Sequence, residues 1–383
     1  MNYFTEDHEH FRQSLRAFLE KEVIPFVDEW EEAGEMHRSI WKKFGDMGYF
    51  GIPYSEKFGG LDLDFFYTVV FFEEMSKVDS AGVGAAIGTH MYLSMSHINN
   101  EGSDEQKMEY LSAGIAGDKF GCLAITEPFG GSDVAGLRTK AELQGDNYVI
   151  NGSKTFISNG VLSDFLVVAA KTNTDIGAEG ISMFLLDRDT PGISATKLKK
   201  LGWHASDTAE IAFDNVTVPT SALLGEEGSG FYYIMQQFAL ERLGMAVGSV
   251  AVSQHVLDYA LKYMSERTAF GRSINRFQEL RHRVAQLASE IEMQKQFVYS
   301  VCHRYQNKEY VVKEAAMAKL LCTELSDKVA TECLQFMGGY GYMEDYPMAR
   351  NFRDSRLGPI GGGTSEIMRE IIAKMVIDDV KYG

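Results

Sequence analysis

The hydrophobic pattern of this chain predicts an α+β multidomain protein, helical at both ends and β-rich in between. Three observations carry that prediction. The 383 residues exceed what one hydrophobic core usually organises. Apolar residues recur at helical spacing up to about residue 117 and again from about 229. Between about 118 and 224 the period changes to short β-branched or aromatic runs bounded by Gly, Asn, Asp or Pro.

Taken in order, Phe11, Leu15, Phe18 and Leu19 stand at i, i+4, i+7 and i+8, one apolar helix face. Pro25, which has no N–H to continue the ladder, breaks that helix, and Gly59-Gly60 marks a turn. The strand runs are Phe165-Leu-Val-Val-Ala-Ala, Ile181-Ser-Met-Phe-Leu-Leu and Ile211-Ala-Phe-Asp-Asn-Val-Thr-Val. There is no internal repeat and no low-complexity stretch. Gly82-Val-Gly84-Ala-Ala-Ile-Gly88 imitates a dinucleotide-binding loop, but such a loop works only between a strand and a helix. Here the preceding Phe71-Phe-Glu-Glu-Met-Ser-Lys is helical, so tight packing of small residues is expected and no Rossmann domain.

Composition excludes several functions. Apolar residues are 45% and charged residues 24%, ordinary globular values. No apolar run approaches the ~18 residues of a membrane-spanning helix. The N-terminus shows no basic, apolar or Arg/Ser-rich leader, so a cytoplasmic location is expected. A net charge of −17 argues against nucleic acid, whose phosphates need Lys and Arg. It still admits a phosphorylated ligand held locally, for instance at a helix N-terminus. Cys122, Cys302, Cys322 and Cys333 are too far apart for a CxxC motif and are expected as buried thiols. The nine histidines show no HExxH spacing, and no metal site is expected.

Residues 122–133 read Cys-Leu-Ala-Ile-Thr-Glu-Pro-Phe-Gly-Gly-Ser-Asp. Pro128, Gly130 and Gly131 force an irregular loop after an apolar strand and allow close approach to a flat ligand. On physics alone a β-turn with solvated Ser and Asp is the simpler account of the segment. Asn151-Gly-Ser-Lys-Thr-Phe-Ile-Ser-Asn-Gly160 follows, then Ser206-Asp-Thr, Glu266-Arg-Thr-Ala-Phe-Gly271, Gln335-Phe-Met-Gly-Gly-Tyr-Gly341 and Gly363-Thr-Ser-Glu366. Six motifs in this order resemble the signatures of the acyl-CoA dehydrogenases, and the chain looks closest to the long-chain branch in Glu22-Val-Ile-Pro25, Glu29-Trp30-Glu31 and Gly230-Phe-Tyr-Tyr-Ile-Met235.

The resemblance implies three domains: an N-terminal helical domain over 1–117, a middle antiparallel β-barrel-like domain over 118–228 and a C-terminal four-helix bundle over 229–383. It implies FAD as cofactor. Leu123, Ile125 and Thr126 then contact the flavin ring, Phe156 stacks on it, and the Ser158 hydroxyl lies near flavin N5. Ser132 falls near the flavin and the thioester. A second subunit completes the site with Arg267, Phe270, Gln278, Gln335, Gly338 and Gly339, which implies a homo-oligomer, a dimer or dimer of dimers. Arg267 suits a pyrophosphate because its planar fork matches phosphate oxygens. Its plainer reading is a solvated helix cation. Thr364 and Glu366 belong to the cofactor set too, and Gly361-Gly-Gly-Thr364 before a helical pattern offers free N–H groups to an anion.

The catalytic base is the informative departure. Many members of the family have Glu at the position of Gly362, whereas Ile360-Gly-Gly-Gly363 carries no side chain there. A smaller branch supplies Glu from an earlier helix, and Leu240-Glu241-Arg242-Leu243 matches that motif. Ile234, Phe238, Glu241 and Met245 fall at i, i+4, i+7 and i+11, so the carboxylate interrupts an apolar stripe. Residues alone leave two roles open, a base with a raised pKa or a buried carboxylate paired with Arg242. The resemblance favours the base.

The activity implied is dehydrogenation of a fatty acyl-CoA, medium- or long-chain or branched, to the trans-2-enoyl-CoA. Glu241 takes the Cα proton, the hydride goes to flavin N5, and the Gly362 N–H donates to the thioester oxygen. Ser132, Tyr232, Glu241, Arg242 and Gly363 meet the substrate, and electrons leave to an electron-transfer flavoprotein. Moving the carboxylate from 241 to 362 is expected to keep part of the activity. The competing readings are an acyl-CoA oxidase using O2, which oxygen consumption would reveal, and a catalytically silent scaffold, which the absence of a flavin spectrum would reveal.

Overall fold

The structure, a computed structural model, describes residues 3–382. Eight helices form the N-terminal part: α1 (Glu6–Glu22), α2 (Val27–Ala33), α3 (Ser39–Asp46), α4 (Phe65–Met75), α5 (Ala81–Gly88), α6 (Met95–Glu101), α7 (Asp104–Gln106) and α8 (Ser112–Ile115). Thr5 opens α1 with a capping box to His8, which satisfies two orphan donors at once. The face read from the sequence is the buried one, with Leu15, Phe18 and Leu19 in the core. Pro25 sits in the short 3-10 turn Ile24–Phe26 that separates α1 from α2. The glycine-rich segment is helix α5, capped by Ser80. Only Gly82 is tightly packed there, against the backbone of Trp203 and Ala205; around Gly84 and Gly88 there is nothing within 4 Å, which corrects the packing expectation at those two.

The middle part is one sheet of β1 (Gly121–Ala124), β2 (Lys140–Gln144), β3 (Asn147–Ser158), β4 (Phe165–Lys171), β5 (Ile181–Asp187), β6 (Ile193–Lys197), β7 (Thr208–Pro219) and β8 (Leu223–Leu224). Its order is β6-β7-β3-β2-β4-β5-β8, with β1 on β4. The sheet is mixed, a correction to the antiparallel expectation. β1 runs parallel to β4 from Gly121↔Phe165 to Ala124↔Val168, and β2 meets β4 in parallel at Lys140↔Lys171. The long β1–β2 loop makes this possible, because a parallel pair cannot be closed by a tight hairpin. No crossover helix intervenes, only the 3-10 turn Val134–Gly136. Strands β4 and β5 are covered on both faces, which is why they read as unbroken apolar runs. Leu166, Val168, Phe184 and Leu186 face the sheet's own core. Phe165, Val167, Met183 and Leu185 face the N-terminal helices.

The C-terminal part holds α9 (Gly230–Glu266), a small hairpin β9 (Thr268–Ala269) and β10 (Arg272–Ser273), then α10 (Gln278–Gln306), α11 (Val312–Met337), α12 (Pro347–Ser355) and α13 (Ser365–Ile377). The three long helices share one core, which also takes Phe66 and Val69 of α4. All four cysteines are buried and free. No helix among the described residues is long and apolar enough to cross a membrane.

A buried polar joint ties the three parts together. Asp354 of α12 accepts from the N–H of Trp203 at 2.7 Å and of Ala81 at 3.0 Å. Glu31 of α2 accepts from Ser80 Oγ at 2.6 Å and from the Ala205 N–H at 3.2 Å. Burial and the neighbouring Glu31 push the Asp354 carboxyl up to about 6.

Candidate active site

The β1–β2 loop is held from inside. Lys154 of β3, fully buried, donates to the Ile125 carbonyl at 2.9 Å and to Glu127 at 2.8 Å. Glu127 also accepts the N–H of Arg138 and of Thr139 at 2.9 Å, so one carboxylate closes both ends of the loop. The Thr155 N–H bonds the Thr126 carbonyl at 2.9 Å. Thr126 is thereby fixed beside β3, with Leu123 and Ile125 half-buried on the helical core and Ser132 exposed.

Next along β3, the register with β7 slips between Lys154 and Ile157. Such a bulge re-aims a side chain. Phe156 occupies it at φ 59°, in the left-handed region, and its ring is 71% exposed. An aromatic residue held there needs surrounding support. Three residues on, Asn159, also left-handed, is anchored on two sides: its side chain donates to the Ala86 carbonyl at 2.9 Å, and its N–H bonds the Asp207 carbonyl at 3.0 Å. Ser158, between these two residues, is half-buried.

Glu241 lies on α9, with Ile234 buried and Phe238 and Met245 half-buried on its face. Its Oε1 is 3.3 Å from the point where a Cβ on Gly362 would stand, so the positions 241 and 362 converge in space. Gly362 has φ +62° and Gly363 φ +92°, and a Cβ on Gly362 would collide with Met245 Sδ. Burial raises the Glu241 carboxyl above its ordinary value, against the opposing charges of Arg242 and Lys319. No hydrogen bond or ion pair joins Glu241 to Arg242 among the described residues. The guanidinium instead stacks over Phe238 at 5.0 Å, and its Nε is buried without a partner.

The glycine turn is less open than expected. The Gly361 N–H bonds the Leu357 carbonyl and the Ser365 N–H bonds the Pro359 carbonyl, both at 2.9 Å. The Gly362 N–H has no acceptor among the described residues and is available to a ligand. Thr364 caps α13 by accepting from the Ile367 N–H, and Glu366 is exposed in the first turn. Tyr232 is half-exposed on α9, nine positions before Glu241.

The remaining residues lie at the other end of α9. Arg267, Gln335, Gly338 and Gly339 line one groove of about 550 Å³ with Tyr340 and Met343. Arg267 lies over the Tyr340 ring at 5.6 Å. Phe270 is 95% exposed, and Gln278 is exposed at the start of α10. Glycines 338 and 339 have nothing within 4 Å of a notional side chain; Gly338 is required by its own backbone at φ +60°, whereas nothing within this chain demands the smallness of Gly339.

Three family models match in sequence: acyl-CoA dehydrogenase, N-terminal domain, over residues 5–118; middle domain, over 122–216; and C-terminal domain, over 228–377. Rat long-chain specific acyl-CoA dehydrogenase is 41% identical over 98% of this chain and 88% of the relative. The chain belongs to the acyl-CoA dehydrogenase family. It is therefore an oxidoreductase of the class acting on the CH–CH group of acyl-CoA. Rice isovaleryl-CoA dehydrogenase is 37% identical over 97% of this chain and 91% of its own. Among solved structures, an acyl-CoA dehydrogenase from Geobacillus kaustophilus superposes with TM-score 0.96 at 41% identity, covering 98% of this chain and 99% of that one. A glutaryl-CoA dehydrogenase from Mycobacterium smegmatis in complex with FADH2 superposes at 0.93 with 27% identity, covering 100% and 97%.

Acyl-CoA dehydrogenases are FAD flavoproteins, and this chain's residues fit that group. An exposed ring on a constrained bulge at Phe156, and a Gly339 that no internal packing requires beside Arg267 in one groove, are features a bound flavin nucleotide would use. Three buried charged residues near the site had escaped sequence reasoning: Glu127, Lys154 and Lys319. Glu127 and Lys154 lie within the quoted motifs, yet a charged residue in a strand or loop is ordinarily solvated, and only packing reveals these as buried.

Proposed function

We propose that this acyl-CoA dehydrogenase oxidises a fatty acyl-CoA, medium- or long-chain or branched, to the trans-2-enoyl-CoA, with Glu241 as the Cα base. One observation carries the reading: an unpaired, half-buried carboxylate stands 3.3 Å from the Cβ point of Gly362, beside the free Gly362 N–H. A thioester whose oxygen accepts that N–H brings its Cα to Glu241. Burial makes Glu241 more basic and better matched to a carbon acid. The Gly362 N–H stabilises negative charge as it develops on the thioester oxygen. Bound FAD supplies the acceptor for the Cβ hydride. Phe156, Ser158, Thr126, Leu123 and Ile125 hold the flavin ring, and Ser132, Tyr232, Arg242 and Gly363 line the substrate path. An electron-transfer flavoprotein as electron acceptor belongs to the same proposal.

The second element is a homodimer, or dimer of dimers. Glu241 and Arg267 are 26 positions apart (267 − 241), roughly 39 Å along a helix at about 1.5 Å per residue. That is beyond the reach of one flavin dinucleotide whose ring lies at Glu241. Arg267, Phe270, Gln278, Gln335, Gly338 and Gly339 therefore serve the cofactor of a neighbouring copy, and the neighbour serves this one, as in a two-fold interface.

The test is anaerobic mixing of purified enzyme with a panel of acyl-CoAs. Bleaching of the flavin is expected with fatty acyl-CoAs. In Glu241→Gln the acyl-CoA should still perturb the spectrum, while bleaching slows by about 10²–10⁴-fold, the usual worth of a general base. Bleaching at the wild-type rate would make Glu241 a structural carboxylate. Oxygen consumption without added acceptor would replace the dehydrogenase reading by an oxidase.

A further inference from the structure

Behind the Glu241–Gly362 pair lies a lysine that the proposed reaction does not use. Lys319 of α11 is 0% exposed, and its Nζ donates to the Gly363 carbonyl at 2.5 Å. This is the ammonium's sole hydrogen bond among the described residues, and no carboxylate there lies within ion-pair distance. A buried ammonium with one of three donors used is a costly group to keep. Its charged surroundings are few. Glu241 from α9 favours its proton most, Arg242 opposes it, and Glu324 of its own helix and Glu366 of α13 add weaker attraction. Burial still lowers it to about 8. In return, Arg242 and Lys319 are the two cations that oppose the upward shift of Glu241, with Tyr382 facing Arg242.

The turn that Lys319 holds needs an anchor. Gly362 and Gly363 are consecutive left-handed residues, a backbone state that persists only when its surroundings impose it. Neither N–H of the two is bonded within the described residues, so the Gly363 carbonyl is where this stretch is tied to the bundle.

We infer, on the reading of Glu241 as base, that Lys319 is a positioning residue: it fixes the Gly361–Gly363 turn through the Gly363 carbonyl and places positive charge behind the Glu241 carboxylate. It touches neither substrate nor cofactor. The carbonyl contact aims the Gly362 N–H. The charge lowers the pH at which Glu241 is free to take a proton, because a nearby cation favours the ionised carboxylate.

The experiment uses holoenzyme carrying Lys319→Met or Lys319→Gln, with two readouts. Hydrogen exchange followed by mass spectrometry should show several-fold faster exchange across residues 358–366 in Lys319→Met, with β3 unchanged. The acid limb of the anaerobic bleaching rate should move to higher pH by about one unit in both variants, since neither carries the charge. A residue of purely structural worth would lower stability without moving that limb. Wild-type exchange in Lys319→Met, or an acid limb that stays in place in both variants, overturns the inference. A wild-type enzyme that no acyl-CoA bleaches refutes the reading of the site instead, while the exchange arm still decides whether Lys319 holds the turn.

Discussion

At Gly362 the smallest side chain is imposed by its neighbours. The residue is left-handed, and a Cβ would strike Met245 while standing beside the Glu241 carboxylate. This geometry weighs against the expectation that a carboxylate moved from 241 to 362 keeps part of the activity by itself. A non-glycine residue in the left-handed region costs roughly 1–2 kcal/mol, and Met245 has to move as well. The expected outcome is that Glu241→Gly with Gly362→Glu remains close to inactive, and that adding Met245→Ala recovers part of the anaerobic bleaching rate. Full recovery in the double variant would show that the turn is more pliable than its geometry suggests. The Glu241 residue itself was legible in sequence, because its position in an apolar helical stripe is a local property. Its freedom from Arg242 was not, because adjacent side chains on a helix diverge by an amount that the surrounding packing decides.

One level up, the β1–β2 loop and the end of β3 form a unit around the Glu127–Lys154 pair. Breaking a buried ion pair from one side leaves the other charge stranded, at about 3–5 kcal/mol. Lys154→Met should therefore lower the melting temperature and the flavin content of the purified protein, while the double change Lys154→Met with Glu127→Gln should recover part of the stability. Equal stability of Lys154→Met and wild type would show that the loop is held elsewhere. The parallel pairing of β1 belongs to this scale too. The runs of β4 and β5 announced burial on both faces, but β1 is four residues long and carries no signal for direction. Its partner is chosen by the helical core on one side and the sheet core on the other.

For the whole molecule, the Glu31–Asp354 joint connects α2, α5, the β6–β7 loop and α12. Asp354 has its folded-state pKa raised to about 6 from 3.8. The folded state thus holds the proton more tightly than the unfolded chain. The stability this contributes is fully present below about 3.8 and is lost as pH rises to about 6, a change of order 3 kcal/mol at 1.36 kcal/mol per unit. Denaturation of Asp354→Asn and wild type across this window is expected to show the variant gaining relative stability with rising pH, then a constant difference above it. A difference independent of pH would remove Asp354 from the balance. Assembly is tested at the same scale. Arg267→Ala should lower flavin content without altering the fold, and a flavin-replete wild-type monomer in sedimentation would sink the two-copy site.

The sequence by itself determined the order helical, β-rich, helical, the apolar faces of α1 and α9, the irregular loop after Cys122 and the motifs that place this chain in its family. These are local facts, carried by periods of 3.6 and 2 and by turn residues. Tertiary structure alone decided the parallel seating of β1, the burial of Glu127, Lys154 and Lys319, and the meeting of Glu241 with Gly362. It also set the separation of Arg267 from Glu241 by the length of α9. The reason is physical: a charged side chain reads as solvated until packing encloses it, and residues far apart in the chain meet only after helices and sheet have buried their common faces.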